Sequence, residues 1–317
     1  MKLSRKLAAI LATAACCASA AEPPVTVGEP VIVTATRFEE QYLDKPVNVT
    51  VITAEDIEQS PAKTVPDLLS EQAGIFIHDF FGNNAATTTV DLRGFGITGT
   101  QNTLILLDGR PIVDVDLSGV QWSGVPLAAI ERIEIVRGSG AVLYGNGAVT
   151  GVINIITKSP ASIGNFAAAQ VLGGSYDTRQ GQLYANYFAG RFGLNLIASN
   201  YMSDGYRDNN NNRQSNVQGE LRALTEGGDV SLKLANNNQG IRLPGPRTVQ
   251  PSAGLDQLAT DRRGTSTPLD YAQRVGNRAT LDWRHETDAG QFNLGVGYRD
   301  KTQTSYFDFG GFPDYRV

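Results

Sequence analysis

The first half of the chain is marked by two apolar runs held apart by a glycine-laced segment. Ile130-Glu131-Arg132-Ile133-Glu134-Ile135-Val136 alternates apolar and charged residues, which predicts a half-buried strand. Val152-Ile153-Asn154-Ile155-Ile156 is dense in β-branched residues, which predicts a covered one. Between them stand Gly138, Gly140, Gly145, Gly147 and Gly151, spaced as a backbone needs where it takes positive φ or passes close to a neighbour. Upstream, Thr53 followed by Ala54-Glu55-Asp56-Ile57 predicts a capped short helix with acids in its first turn. Thr64-Val65-Pro66-Asp67 predicts a second, with proline tolerated near its start. Leu104-Ile105-Leu106-Leu107 reads as a buried central strand that ends in the turn Asp108-Gly109-Arg110.

After Lys158 the period changes to two. Phe192, Leu194, Leu196 and Ala198 alternate with Gly193, Asn195, Ile197 and Ser199; Val217, Gly219, Leu221 and Ala223 alternate with Gln218, Glu220 and Arg222. The same holds for Val230, Leu232 and Leu234 around Ser231 and Lys233, for Ala279 to His285, and for Phe292 to Tyr298. Seven strands are expected, near residues 164–173, 178–188, 191–203, 213–225, 229–238, 273–286 and 291–307. One apolar and one charged face suits a wall between lipid and a wet lumen, and also a soluble sandwich. Connection lengths favour the wall. Ala189-Gly190, Glu226-Gly227-Gly228 and Thr287-Asp288-Ala289-Gly290 are tight turns, whereas residues 204–212 and 239–272 are long polar loops. Tyr201, Tyr206 and Tyr306 fall near strand ends, where an interfacial aromatic girdle is expected.

Lys2, Arg5 and Lys6, an apolar run from Leu7 to Ala15, and Ala18-Ser19-Ala20 form a secretory signal, with cleavage expected after Ala20. Cys16 and Cys17, the chain's two cysteines, fall inside it, so the mature chain is expected to carry no disulfide or thiolate metal site. Loss of three basic residues takes the net charge from −5 to −8, a poor balance for binding nucleic acid.

Candidate chemistry is sparse. Gly145-Asn146-Gly147-Ala148-Val149-Thr150-Gly151 resembles a dinucleotide fingerprint with one residue too many before the last glycine, and a strand rather than a helix is expected to follow. His78 and His285 lie in different elements, and Asp114 and Asp116 share a face without a third group. No catalytic constellation, cofactor or metal site is expected.

Five short motifs, in order, resemble the TonB-dependent outer-membrane receptors: a TonB-box-like segment at residues 29–37; Asp67-Leu68-Leu69 with Ala73-Gly74-Ile75; Leu92-Arg93-Gly94-Phe95-Gly96; Leu107-Asp108-Gly109-Arg110-Pro111; and residues 130–158. The resemblance is specific over residues 29–158 and architectural beyond. It implies an α+β plug domain followed by a partial antiparallel transmembrane β-barrel, and a receptor rather than an enzyme. The divisions expected are a signal peptide (1–20), a periplasmic leader with the box (21–44), the plug (45–158) and the first barrel strands (159–317). Because seven strands cannot close a barrel of about 22, the chain is expected to be the N-terminal part of a longer receptor.

The resemblance further implies that Pro30, Val31, Ile32, Val33, Thr34 and Ala35 add as a strand to TonB, the energy transducer of the inner membrane. The expected cargo is a ferric siderophore, cobalamin or haem, met by Phe80, Phe81, Asn83, Asn84, Asp114, Asp116, Gln121 and Trp122. Arg93, Glu131, Arg132, Glu134 and Arg137 are the expected plug–barrel contacts. A passive porin or surface adhesin on the same barrel is the alternative.

Overall fold

The computed structural model describes residues 32–33, 40–41, 49–79, 88–113, 119–138 and 144–308. Near the N-terminus, β1 (Ile32–Val33) pairs antiparallel with β2 (Glu40–Gln41). β3 (Val49–Thr53) then leads directly into α1 (Ala54–Gln59). Thr53 accepts from the Asp56 amide while the Asp56 carboxylate accepts from the Thr53 amide, a reciprocal cap that halts the strand and starts the helix. α2 (Val65–Ser70) repeats the device with Thr64 and Asp67 and buries Val65, Leu68 and Leu69. Both helix starts match the sequence expectation.

β4 (Ile75–His78) pairs with β5 (Thr89–Leu92) as a separate ribbon. The main N-terminal sheet has five strands in the order β3, β8 (Ile130–Arg137), β9 (Gly151–Thr157), β6 (Thr103–Leu107), β7 (Arg110–Pro111). β6 is buried at every position and runs parallel to β9; the other pairs are antiparallel. Ile52, Leu68, Leu69, Ile105, Ile133, Ile135, Ile153 and Ile155 form the core between helices and sheet. β9 begins at Gly151, where a nucleotide fold would begin a helix. A Cβ on that glycine would lie 2.3 Å from the Val136 carbonyl oxygen, so the glycine serves the close passage of β9 against β8.

The C-terminal part is one open sheet of seven antiparallel strands. In chain order these are β10 (Phe166–Gly174), β11 (Thr178–Ala189), β12 (Phe192–Ser203), β13 (Asn212–Thr225) and β14 (Gly228–Arg242). A loop holding β15 (Val249–Gln250) and β16 (Leu255–Asp256) follows, and then β17 (Tyr271–Thr287) and β18 (Gly290–Tyr306). Each strand pairs with the next; two-residue turns at 190–191, 226–227 and 288–289 lie at one end, and the turn at 175–177 and the loops at 204–211 and 243–270 at the other. β14 runs four residues past its expected end and β17 starts two residues early, so the long loop shortens to residues 243–270. Ladder pairs such as Gln239–Arg274 and Ile241–Ala272 extend the strands, and Ile241, Leu243 and Ala272 cluster there in a small apolar knot that a polarity-based reading passes over.

The alternation resolves into two faces. Leu194, Val217, Leu221, Leu234, Leu281, Leu294 and Val296 stand exposed on one, with Leu294 64% and Val296 65% accessible. Asn195, Glu220, Ser231 and Thr280 face the other and are buried. A sheet that shows leucine outward and hides glutamate fits lipid outside and a polar interior. Tyr306 stacks on Tyr271 with ring centroids 5.7 Å apart, and Tyr206 meets Tyr176 edge-on at 5.8 Å. Tyr201 departs from the girdle expectation: it shares the strand parity of Asn195 and Ser199, on the polar face. No helix among the described residues is long and apolar enough to cross a membrane.

Placing a charge on the exposed apolar face should cost more than placing one on the polar face. Leu281→Lys is expected to lower wall stability in a bilayer by roughly 2–4 kcal/mol near the midplane. Urea unfolding from lipid vesicles, with Thr280→Lys as the comparison, measures the difference.

Candidate functional site: the plug–wall seam

The N-terminal unit packs on the polar face of the seven-stranded sheet, and one tight turn carries charge pairs across to two wall strands. Leu107 pairs with Arg110 across Asp108-Gly109, both with positive φ, as a two-residue hairpin of Asp-Gly type requires. The turn thereby aims an acid and a base at two neighbouring wall strands. Asp108 accepts from Lys233 Nζ of β14 at 2.8 Å, and Thr157 at the end of β9 hydrogen-bonds both partners. Arg110 donates to Asp282 of β17. Gly295 and Gly297 on β18 leave room for its guanidinium, since a Cβ on Gly295 would overlap Arg110.

Behind Lys233 runs a ladder of wall charges. Glu220, 3% exposed, accepts from Arg222 at 2.6 Å and lies 3.6 Å from Lys233. Arg222 continues to Asp229 at 2.8 Å, and Asp229 to Arg284 at 2.9 Å. Each charge has a countercharge, so the row tolerates burial, and removing one member would strand another. Burial alone would raise the pKa of Asp108, but the Lys233 charge and the hydrogen bonds from Lys233 and Thr157 outweigh it and hold the carboxyl below its ordinary value.

Further along, the turn Trp122–Gly124 rests against β13 and β14. Asn237 of β14 is wedged between Gly124 of this turn and Gly276 of β17. At the other end of the seam, Asn195 Nδ2 donates to the Lys158 carbonyl at 3.0 Å and Asn186 Nδ2 to the carbonyls of residues 160, 163 and 164. Lys158 Nζ lies 5.6 Å from the Tyr184 ring centre.

The expected site residues divide among these surroundings. Trp122 is buried in the N-terminal core, its Nε1 donating to the Thr88 carbonyl at 2.9 Å, while Gln121 reaches the seam. Arg132 binds Glu131 at 3.0 Å and Glu134 at 2.9 Å, and Arg137 binds Thr50 and the Ala73 carbonyl, so both guanidinium groups are engaged inside the N-terminal unit. Glu131 turns toward the junction, accepting from Ser162, and Arg93 is exposed at a positive-φ position. Ile32 and Val33 lie in β1; Pro30, Val31, Thr34, Ala35, Phe80, Phe81, Asn83, Asn84, Asp114 and Asp116, with the signal segment, lie outside the described residues. Sequence reasoning missed Asp108, Arg110, Lys233 and Asp282 as contacts. Their signal was a turn carrying both charge signs, and a lone lysine among the alternating residues of β14. No cluster of three metal-ligating side chains occurs among the described residues.

A model of the TonB-dependent receptor plug domain matches residues 42–152. The vitamin B12 transporter BtuB of Vibrio cholerae serotype O1 is 40% identical over 131 residues, covering 41% of this chain and 21% of that transporter. The ferrienterobactin receptor of Escherichia coli K12 is 38% identical over 157 residues, covering 44% and 20%. Among solved structures, the ferric citrate transporter FecA, unliganded, superposes with TM-score 0.70 at 21% identity, covering 84% of this chain and 41% of FecA. The pyoverdine receptor FpvA of Pseudomonas aeruginosa PAO1 superposes with TM-score 0.72 at 16% identity, covering 86% and 40%. The matched stretch is thus about a fifth of the curated relatives' length, and about two-fifths of the solved chains. Residues 42–152 thus match the plug domain of TonB-dependent receptors, and the seven-stranded sheet has the fold of part of such receptors' barrels. The relatives are transporters and receptors, not enzymes.

Because the folded plug holds the Asp108 proton less readily than an unfolded chain, the latch contributes fully above the ordinary carboxylate range. Its contribution is lost as pH falls below that range through the lowered value. The protection factors of residues 104–112, with the intrinsic pH dependence of exchange removed, should therefore be flat from neutral pH to mild acid and drop only in stronger acid; Asp108→Asn should remove that drop.

Proposed function

We propose that this chain is the plug and part of the wall of an outer-membrane receptor that takes up a large nutrient, a ferric siderophore or a cobalamin- or haem-like cargo, with energy delivered through TonB. The observation that carries the reading is the way the plug is held. Paired charges and amides, concentrated at one turn, fix it to the wall with bonds that water can replace, so a pull can release it without exposing a large greasy interface. A passive pore or an adhesin gains nothing from a stopper so fastened.

Residues 30–35 are the proposed TonB contact. The strand form of Ile32–Val33 against Glu40–Gln41 supports this, because a segment that already pairs as a strand can exchange that partner for a sheet edge on another protein. The proposed divisions remain signal 1–20, leader 21–44, plug 45–158 and wall 159–317. Cargo contact is proposed for Phe80, Phe81, Asn83, Asn84, Asp114, Asp116 and Gln121. Trp122 supports that surface from the core, and Glu131 contributes to the plug–wall junction.

Deleting Val31 to Ala35 in the receptor should abolish energised uptake while cargo still binds at the cell surface. Uptake that persists at the parental rate would decide for the passive reading.

A further inference from the structure

Resting on that reading, we propose that Gln214, Asn216, Asn237 and Gln239 of the wall, with Gln121 of the plug, form a subsite for uncharged cargo groups that bear amide or hydroxyl functions. Asn216 stands directly opposite Asn237, and Gln214 opposite Gln239, on the neighbouring strands β13 and β14. The four side chains share the polar face as a square, about 5 Å across the strands and 7 Å along them. Asn216 is 3% exposed and Gln239 1%, and neither atom of either amide has a hydrogen-bond partner. Gln214 Nε2, Asn237 Oδ1 and Gln121 Nε2 are likewise buried without partners.

An unpaired amide in a sealed interior is costly, so a square of them calls for a hydrogen-bonding occupant. Its chemistry follows from the donors and acceptors. Each amide offers both and none is itself charged, so cargo amides and hydroxyls match both functions. Arg274, opposite Gln239 on β17, donates to Gln303 on the far side.

A cavity of about 50 Å³ adjoins Gln121 and Asn237, walled by Ile112 and Val120 and by the charged Arg278, Arg299, Asp300 and Lys301. That volume admits a water or two but not a cargo group. The turn Trp122–Gly124 roofs the wall strands here, Gly124 against Asn237. Cargo therefore engages the square when this turn lifts, making it a station between plug and wall.

The test is equilibrium binding to the purified protein in detergent at fixed ionic strength, with three probes: cyanocobalamin, an uncharged amide-bearing corrinoid; ferrichrome, an uncharged amide-bearing iron chelate; and ferric enterobactin, an anionic chelate. At least one uncharged probe should bind, and the first two arms distinguish corrinoid from iron chelate. Asn216→Leu with Gln239→Leu should weaken that binding about tenfold, the worth of one to two lost hydrogen bonds. Gln239→Asn, which keeps an amide, should weaken it less, and the uncharged probe should speed hydrogen exchange at residues 119–125. If the leucine pair fails to fold, the near-isosteric Asn216→Asp with Gln239→Glu gives the same reading. Binding of the anionic probe alone, binding by none of the three, or uncharged-probe binding unchanged by the variants would overturn the assignment. None of these results depends on energy coupling, so the proposed uptake function stands or falls separately.

Discussion

The join between Asp108-Gly109-Arg110 and the wall is the contact on which the architecture depends. A two-residue turn has no freedom to reorient its flanks, so the acid and the base leave it in fixed directions and meet charges of opposite sign on β14 and β17. Lys233 must also serve Glu220 and Thr157, which ties the turn to a buried ladder reaching Arg284. The plug is thereby registered on the wall by charge pairing, while its own stability comes from an isoleucine- and leucine-rich core that does not involve the wall. Holding and folding are carried by different residues. That separation would let one give way while the other stays intact.

The wall shows the complementary division. Its outward leucines and valines gain from lipid and contribute nothing to holding the plug; its inward asparagines, glutamate and arginines need partners that the plug partly supplies. The seam is not uniform. Near Lys233 it is held by charge pairs, near Asn195 by amide-to-carbonyl bonds and an apolar contact of Ala129 with Tyr184 and Ile197, and beneath Trp122–Gly124 it holds amides with no partner. Resistance to parting should differ along it for that reason.

Much of this was legible in the chain. Threonine caps, the Leu104–Leu107 strand, the Asp-Gly turn and the alternating strands appear where local chemistry places them, because each depends on neighbours within a few residues. Strand ends were less legible: β14 and β17 lengthen each other through pairs such as Ile241–Ala272, 31 positions apart in sequence. The seam was the least legible. Arg132 and Arg137 have the composition of interface charges, yet Glu131, Glu134, Thr50 and the Ala73 carbonyl claim them within the plug. Lys233 and Asp282, which do meet the plug, lie 125 and 172 residues from their partners. No local pattern encodes such a pairing; only the stacking of plug on wall creates it.

The most direct measurement is a double-mutant cycle on Asp108→Asn and Lys233→Met, read as the free energy of plug opening from hydrogen exchange in β6 and β9. A plug latched through this pair should give a coupling energy of about 1 kcal/mol or more, with the second substitution adding little to the first. Strictly additive effects, with coupling near zero, would contradict a latch at this turn and leave the plug held by some other part of the seam.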